Sequence, residues 1–365
     1  MADIKSLTAM RYAVKVIYSA ERGEPIPKKP DSIGYKDIFK ATRQHSYAGA
    51  VFSALHERLT SLPTEAYALW EKECMNDTAK NIAQLSAFAS VEALLSENKI
   101  YYLPLKGILL KGVWKNPLNR PMSDIDIFVG DKVGAAQAVL CAAGYELKDA
   151  LHDFHTTVKK RPYVSVELHS DIYKGAGKSI SDYQPVTDGS YRLKMSHTEL
   201  LTFIVRHAHH HYISGGSCGI RLVFDLRFYL ERYGVEIDRA ELEASLKENG
   251  LFEFYGAALS VGEAWFDGKA LPREYSELEE YMLLGGSFGN TETKLRQTEK
   301  DGTTLKYFFS ICFPPYKNMA SLYPVLRRWK ILLPLYYVRR GFGKLFSGRV
   351  RRVVRAYKDA RDENK

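Results

Sequence analysis

The sequence predicts an α+β protein, a small mixed-sheet core flanked by N-terminal and C-terminal helical regions. Three observations predict it. Apolar residues recur at three- and four-residue spacing up to about residue 98, with no strand-like alternation. Short aromatic or alternating runs then crowd into residues 99–170. From about Ser196 the helical period returns.

Each element follows from its local pattern. "YAGAVFSALHERLTSL" (47–62) and "NIAQLSAFASVEALLSENK" (81–99) read as amphipathic helices, the second stopped at Asn98. "KIYYLPL" (99–105) is a short strand, "GILLKGVWKN" a short helix with an apolar face, and "DIDIFV" (124–129) a second strand. "KVGAAQAVLCAAG" (132–144) is a helix ended by Gly144, followed by a short strand in "YELKD". "HTTVKK" and "VSVELH" alternate and are joined by "RPY", which predicts a hairpin. "SHTELLTFIVRHAHHHY", "IRLVFDLRFYLERYG", "DRAELEASLKENG" and "LFEFYGAALSVGEAWF" are helices, with "ISGGSC" (213–218) as a flexible link. The expected divisions are 1–98, 99–195, 196–325 and a basic amphipathic tail, 326–365.

Composition excludes several classes. At 45% hydrophobic and 26% charged the chain is globular. The longest apolar run near the end, "ILLPLYYV", is far short of the roughly 20 residues of a membrane span. The first residues hold no apolar core of leader length, and Cys74, Cys141, Cys218 and Cys312 form no CxxC pair. A reducing, cytoplasmic setting is expected. The net charge of +9 resides in the tail: from Arg327 to Lys365 thirteen basic residues face three acidic ones, a net of +10, and the remainder holds 39 against 40. Trp329, Tyr336, Tyr337, Phe342 and Phe346 lie among those arginines. The tail therefore suits the inner face of an anionic membrane, RNA phosphates, or a docked helix with a solvated basic side.

The chemistry concentrates in "RPMSDIDIFVG" (120–130). Asp124 and Asp126 share a strand face, about 6–7 Å apart. Like charges so placed need a cation: a divalent ion, or in the bland reading Arg120 or a nearby lysine. Glu167 in "VSVELH" comes level with them if the two strands are neighbours, and three convergent carboxylates suit one or two Mg²⁺ ions. "LPLKGILLKG" (103–112) ends a strand at Lys106 and Gly107 and starts a helix, a turn suited to phosphate or to nothing more than reversal of the chain. His169 lies on the face of Glu167, to bind phosphate, orient Glu167, or simply pack. His207 and His211 share a helix face, but no H-E-x-x-H motif is present.

At these residues the chain resembles an uncharacterised bacterial nucleotidyltransferase family of the polymerase-beta-like nucleotidyltransferase superfamily. The likeness rests on "LPLKG", "RPMSDIDIFV" and "VELH" and extends to "RHAHHH", "RLVFDLRFYL" and the segment from "FPPYK" to "YYVRR". It implies an Mg²⁺-dependent transfer of a nucleoside monophosphate from an NTP such as ATP to an unnamed acceptor. Asp124, Asp126 and Glu167 take the places of the metal-binding, catalytic carboxylates, two ions being expected. Lys106 and Gly107 take those of the triphosphate turn, with Arg120 and His169 on the nucleotide side. His207, His211 and Asp225 take the acceptor side. The superfamily turn is usually Gly-Ser or Gly-Gly, whereas Lys106-Gly107 supplies one glycine and no hydroxyl. Two other readings stand beside this one: a toxin-like enzyme acting on tRNA or protein, and a non-catalytic nucleotide-binding scaffold at a membrane-associated assembly.

Overall fold

Four helices precede the first strand: α1 (Ile4–Arg22), α2 (Tyr35–Gln44), α3 (Ala48–Leu59) and α4 (Thr64–Glu97). The computed structural model describes residues 4–152, 155–173, 177–214, 216, 219–287, 316, 319, 323 and 325–338. α4 runs for 34 residues and ends where the Asn98 backbone N–H and side-chain amide both donate to Leu94 O. Asn98 thereby satisfies a carbonyl that the helix end would leave open.

The α+β portion holds β1 (Leu103–Leu105), α5 (Gly107–Leu110), β2 (Ile125–Phe128), α6 (Val133–Ala142), β3 (Glu146–His152), β4 (His155–Lys160) and β5 (Val164–His169). These strands form one sheet in the order β1-β2-β5-β4-β3. Only β2 and β5 are parallel; the other neighbours are antiparallel, so the sheet is mixed. β3 is longer than its sequence pattern suggests, and its pairing with β4 is irregular. Past α6, Gly144 takes φ +87°, the left-handed conformation that ends the helix without a Cβ penalty.

Side-chain alternation divides the sheet into two faces. Ile125, Ile127, Val158, Val166 and Leu168 point into a core closed by Phe88, Val91 and Leu95 of α4 and Val133, Ala136 and Leu140 of α6. Burying one such side chain contributes about 1.5–3 kcal/mol, so the register of β2 on β5 is firmly set. Asp126, Glu167 and His169, being of opposite parity, share the other face.

A two-stranded pair, β6 (Gln184–Pro185) and β7 (Leu193–Lys194), leads to α7 (His197–Ile213), α8 (Gly219–Tyr233), α9 (Arg239–Glu248), α10 (Phe252–Phe266) and α11 (Ser276–Leu284). The protein is thus a mixed α+β fold with helical flanks on both sides. Contacts divide it into two units, Met1–His209 with Gly219–Ser287, and His210–Cys218 with Phe288–Lys365. In the second unit Met319 and Leu326 are buried, with Tyr316, Tyr323, Tyr336 and Tyr337 packed on them. Trp329, Ile331 and Leu335 are exposed there. Phe342, Phe346 and most tail arginines lie outside the described residues. Among the described residues no helix is long and apolar enough to cross a membrane.

Candidate active site

Three strands deliver the cluster. Parallel pairing sets Asp126 level with Glu167 and Phe128 level with His169. On the other side of β2, Leu105 pairs with Asp126, so the next residue, Lys106, reaches that carboxylate. Lys106 Nζ donates to Asp126 Oδ1 at 2.9 Å, and His169 Nε2–H donates to the same oxygen at 3.0 Å. His169 Nε2 also lies 3.8 Å from Glu167 Oε2. Asp126, Glu167 and His169 each offer one ligand atom, all within 4.8 Å of one another. Asp124 stands just before β2, half-buried, outside that group of three.

The charges do not balance. Burial works against ionised Asp126, but the Lys106 ammonium and the His169 hydrogen bond outweigh it and hold its carboxyl well below the usual range. Burial, then the Asp126 charge, pushes Asp124 up. Burial, with Asp126 and Asp124 beside it, pushes Glu167 up to about 7. Burial opposes the Lys106 charge too, yet Asp126 raises it overall. One lysine thus stabilises one carboxylate, and the other two ionise reluctantly. A divalent ion bound there would supply the missing charge.

The Lys106–Gly107 turn differs from its sequence reading. Lys106 itself has φ +47°, a region ordinarily left to glycine and costing a side-chain-bearing residue on the order of 1–3 kcal/mol. That conformation accompanies the ammonium's contact with Asp126. Gly107, expected to admit a phosphate, is buried instead: a Cβ there would lie 2.9 Å from Met122 Cγ and Sδ and 3.2 Å from Arg120 Nη1. The glycine makes room for protein. α5, the helix expected to start at this turn, has only four residues before a 3₁₀ turn at Lys111–Val113.

Arg120 and Asp225 are also placed differently from the nucleotide and acceptor sides expected of them. They are 3% and 4% exposed and face each other. Arg120 Nε and Nη2 donate to Asp225 Oδ1 and Oδ2, both at 2.7 Å, while Nη1 donates to Gly107 O at 3.1 Å. Trp114 Nε1 adds a 3.3 Å bond to Asp225 Oδ1. The pair ties α8 to the turn that carries Lys106. On α7, His207 is half-buried beside the Phe203 ring, and His211 is half-buried near the helix end. Neither belongs to the group of metal-capable side chains found among the described residues.

Lys111 and Thr157 went unread in the sequence. Lys111, taken as part of a helix with an apolar face, is 1% exposed. Its Nζ donates to Asn81 Oδ1, to Pro117 O at 3.1 Å and to Arg120 O at 2.6 Å, and burial followed by Arg120 lowers its pKa to about 7. Its signal was its position inside the apolar run "ILLKGVW". Thr157 on β4 is buried level with Glu167, and His155 is level with His169, ring centroids 5.4 Å apart. Asp126 and Glu167 on paired strands, with Asp124 just before β2, define the site's chemical character.

Residues 31–267 match the family described as uncharacterised nucleotidyltransferase. The chain belongs to that family. The matched stretch of this nucleotidyltransferase holds the whole sheet, Lys106, Asp124, Asp126, Glu167, His169 and Asp225. No curated protein and no solved structure matches the chain.

Proposed function

We propose that this protein moves a nucleoside monophosphate from an NTP to an acceptor hydroxyl and releases pyrophosphate, as a member of the polymerase-beta-like superfamily. The observation that carries this reading is the level pairing of Asp126 and Glu167 under His169, a cluster short of positive charge in a nucleotidyltransferase-family chain. The donor set fits a hard divalent cation: two carboxylates converge, a third precedes the strand, and an imidazole orients one of them. Asp126 and Glu167, with Asp124, would hold Mg²⁺, one ion or two. When bound, such ions neutralise phosphate charge and acidify an attacking hydroxyl.

The chain's own groups divide the remaining work. His169 Nε2–H and Lys106 fix Asp126 in its ionised form. Glu167, level with Asp126 on the neighbouring strand, is the carboxylate placed to take the acceptor's proton. Lys106 offsets part of the carboxylate charge from beside Asp126. Catalysis is then mostly positioning and charge neutralisation.

The test uses NTPs labelled at the α- or the γ-phosphate, incubated with Mg²⁺ and fractionated cell extract. Transfer of α-label to an acceptor, with γ-label released in pyrophosphate, supports the proposal. Transfer of γ-label would make the enzyme a kinase and sink it. The fraction that takes up α-label separates a small-molecule acceptor from tRNA or protein.

A further inference from the structure

Two helices grip the segment that leads into Asp124. From α4, Gln84 Nε2 donates to Met122 O at 3.1 Å and to Ser123 O at 3.5 Å. Asn81 on the same helix accepts from Lys111 Nζ, which continues to Arg120 O. From α8, Arg221 Nη1 donates to Pro121 O at 3.3 Å, and Asp225 one turn later binds Arg120.

The same helices bring two further cations toward Asp124. Lys80 precedes Asn81 and lies one turn before Gln84; Arg221 heads the α8 grip. Both are half-buried. Within the described residues Lys80 makes no hydrogen bond or ion pair, and Arg221's bond is to a neutral carbonyl. Both sense the charge of Asp124. Burial lowers the pKa of each, and Arg221 lowers that of Lys80 further despite Asp77. Arg120 does the same to Arg221. Asp225 is matched by Arg120, so it does not balance them. A half-buried lysine and arginine that flank the Asp124 segment, neither closing an ion pair with a carboxylate among the described residues, offer two donors to an anion that joins them.

We infer that Lys80 and Arg221 form the seat of the β- and γ-phosphates of the nucleoside triphosphate, on the α4–α8 side of Asp124. The inference rests on the nucleotidyl-transfer reading and moves the polyphosphate contact away from the motif turn. There Lys106 Nζ is bonded to Asp126, and the space beside Gly107 is filled by Met122 and Arg120. In the reaction a bond forms between the acceptor oxygen and Pα while the bond from Pα to the bridging oxygen breaks. The electron pair leaves on pyrophosphate, the acceptor's proton passes to Glu167, and Lys80 and Arg221 neutralise the departing charge. The seat thus comes from the helical flanks, far in sequence from the carboxylates.

Calorimetric titration with inorganic tripolyphosphate in Mg²⁺ tests this on the wild-type chain, Lys80→Gln, Arg221→Lys and Lys80→Gln/Arg221→Gln. Lys80→Gln removes no bond within the described residues, so its fold is retained, and a thermal melt verifies this. The dissociation constant should rise at least tenfold in Lys80→Gln and about a hundredfold in the double variant. Arg221→Lys should keep most of the affinity, and Mn²⁺ binding without phosphate should stay unchanged in Lys80→Gln. Equal tripolyphosphate affinity in wild type and Lys80→Gln, or none in wild type, would overturn the inference. If Mg²⁺-dependent NTP binding is lost in Asp126→Asn but untouched in Lys80→Gln, the seat is wrong and the transfer reading stands. If tripolyphosphate depends on Lys80 while no NTP binds with Mg²⁺, the seat stands and the transfer reading falls.

Discussion

The protein buries charge in two neighbouring places and treats it in opposite ways. Arg120 and Asp225 form a two-pronged pair, each oxygen with its own donor and each group almost fully enclosed. On the sheet face, Asp126 alone is matched, by Lys106 and His169, while Glu167 and Asp124 sit beside it with their ionised forms disfavoured. The matched pair fastens α8 to the Lys106 turn. The unmatched carboxylates are held together at a cost that a bound cation would remove. Buried charge that finds its partner within the chain serves the fold, and buried charge that does not points outward, to a ligand.

The sharpest way to break this contrast is to remove a partner from the matched pair. Arg120→Met leaves Asp225 enclosed without its counter-charge and should cost about 3–5 kcal/mol in urea denaturation. Arg120→Met with Asp225→Leu should recover much of that loss. Stability little changed by Arg120→Met alone would show that the pair does not fasten α8.

In the cluster the sign should reverse. Glu167 has its pKa raised in the fold from 4.5 to about 7, so in metal-free protein it keeps a proton that the unfolded chain releases. Between those pH values the unfolded state binds fewer protons, and stability declines as pH rises through the window. Mg²⁺ should relieve the decline. Glu167→Gln should lessen it, Asp124 keeping its own part, and should gain on the order of 2 kcal/mol at pH 8 while weakening metal binding. A melt series from pH 4.5 to 8 reads this directly; a flat wild-type profile would show that Glu167 is not held against its charge.

A smaller effect sharpens the same contrast at the turn. Gly107→Ala should press on Met122 and the Arg120 guanidinium and cost about 1 kcal/mol, visible in the melting temperature. If it instead abolished nucleotide binding at unchanged stability, the glycine would serve phosphate after all.

What was legible in the sequence followed from local rules. Alternation in "DIDIFV" and "VSVELH" set the strands, and a mixed sheet then brought Asp126 and Glu167 together because residues of one parity share a face. Asn98 and Gly144 announced their helix ends. The rest depended on contacts between distant segments. Arg120 carried the same charge whether it met a phosphate or Asp225, and 105 positions separate the two partners. Lys111 was read only as part of a short helix, because nothing local reveals Asn81, Pro117 O and Arg120 O converging on its ammonium. Gly107 was read for what might approach from outside, whereas Met122 approaches from within.

The measurement closest to the central claim is thermal denaturation of wild type and Asp126→Asn with ATP, GTP, CTP or UTP, each with Mg²⁺ or with EDTA. At a hundredfold its dissociation constant a nucleotide should add about 2.7 kcal/mol to the wild type in Mg²⁺, and nothing in EDTA or in the variant. Stabilisation that is indifferent to Mg²⁺ or retained by Asp126→Asn would contradict a metal–nucleotide centre at these carboxylates, as would none with any of the four nucleotides.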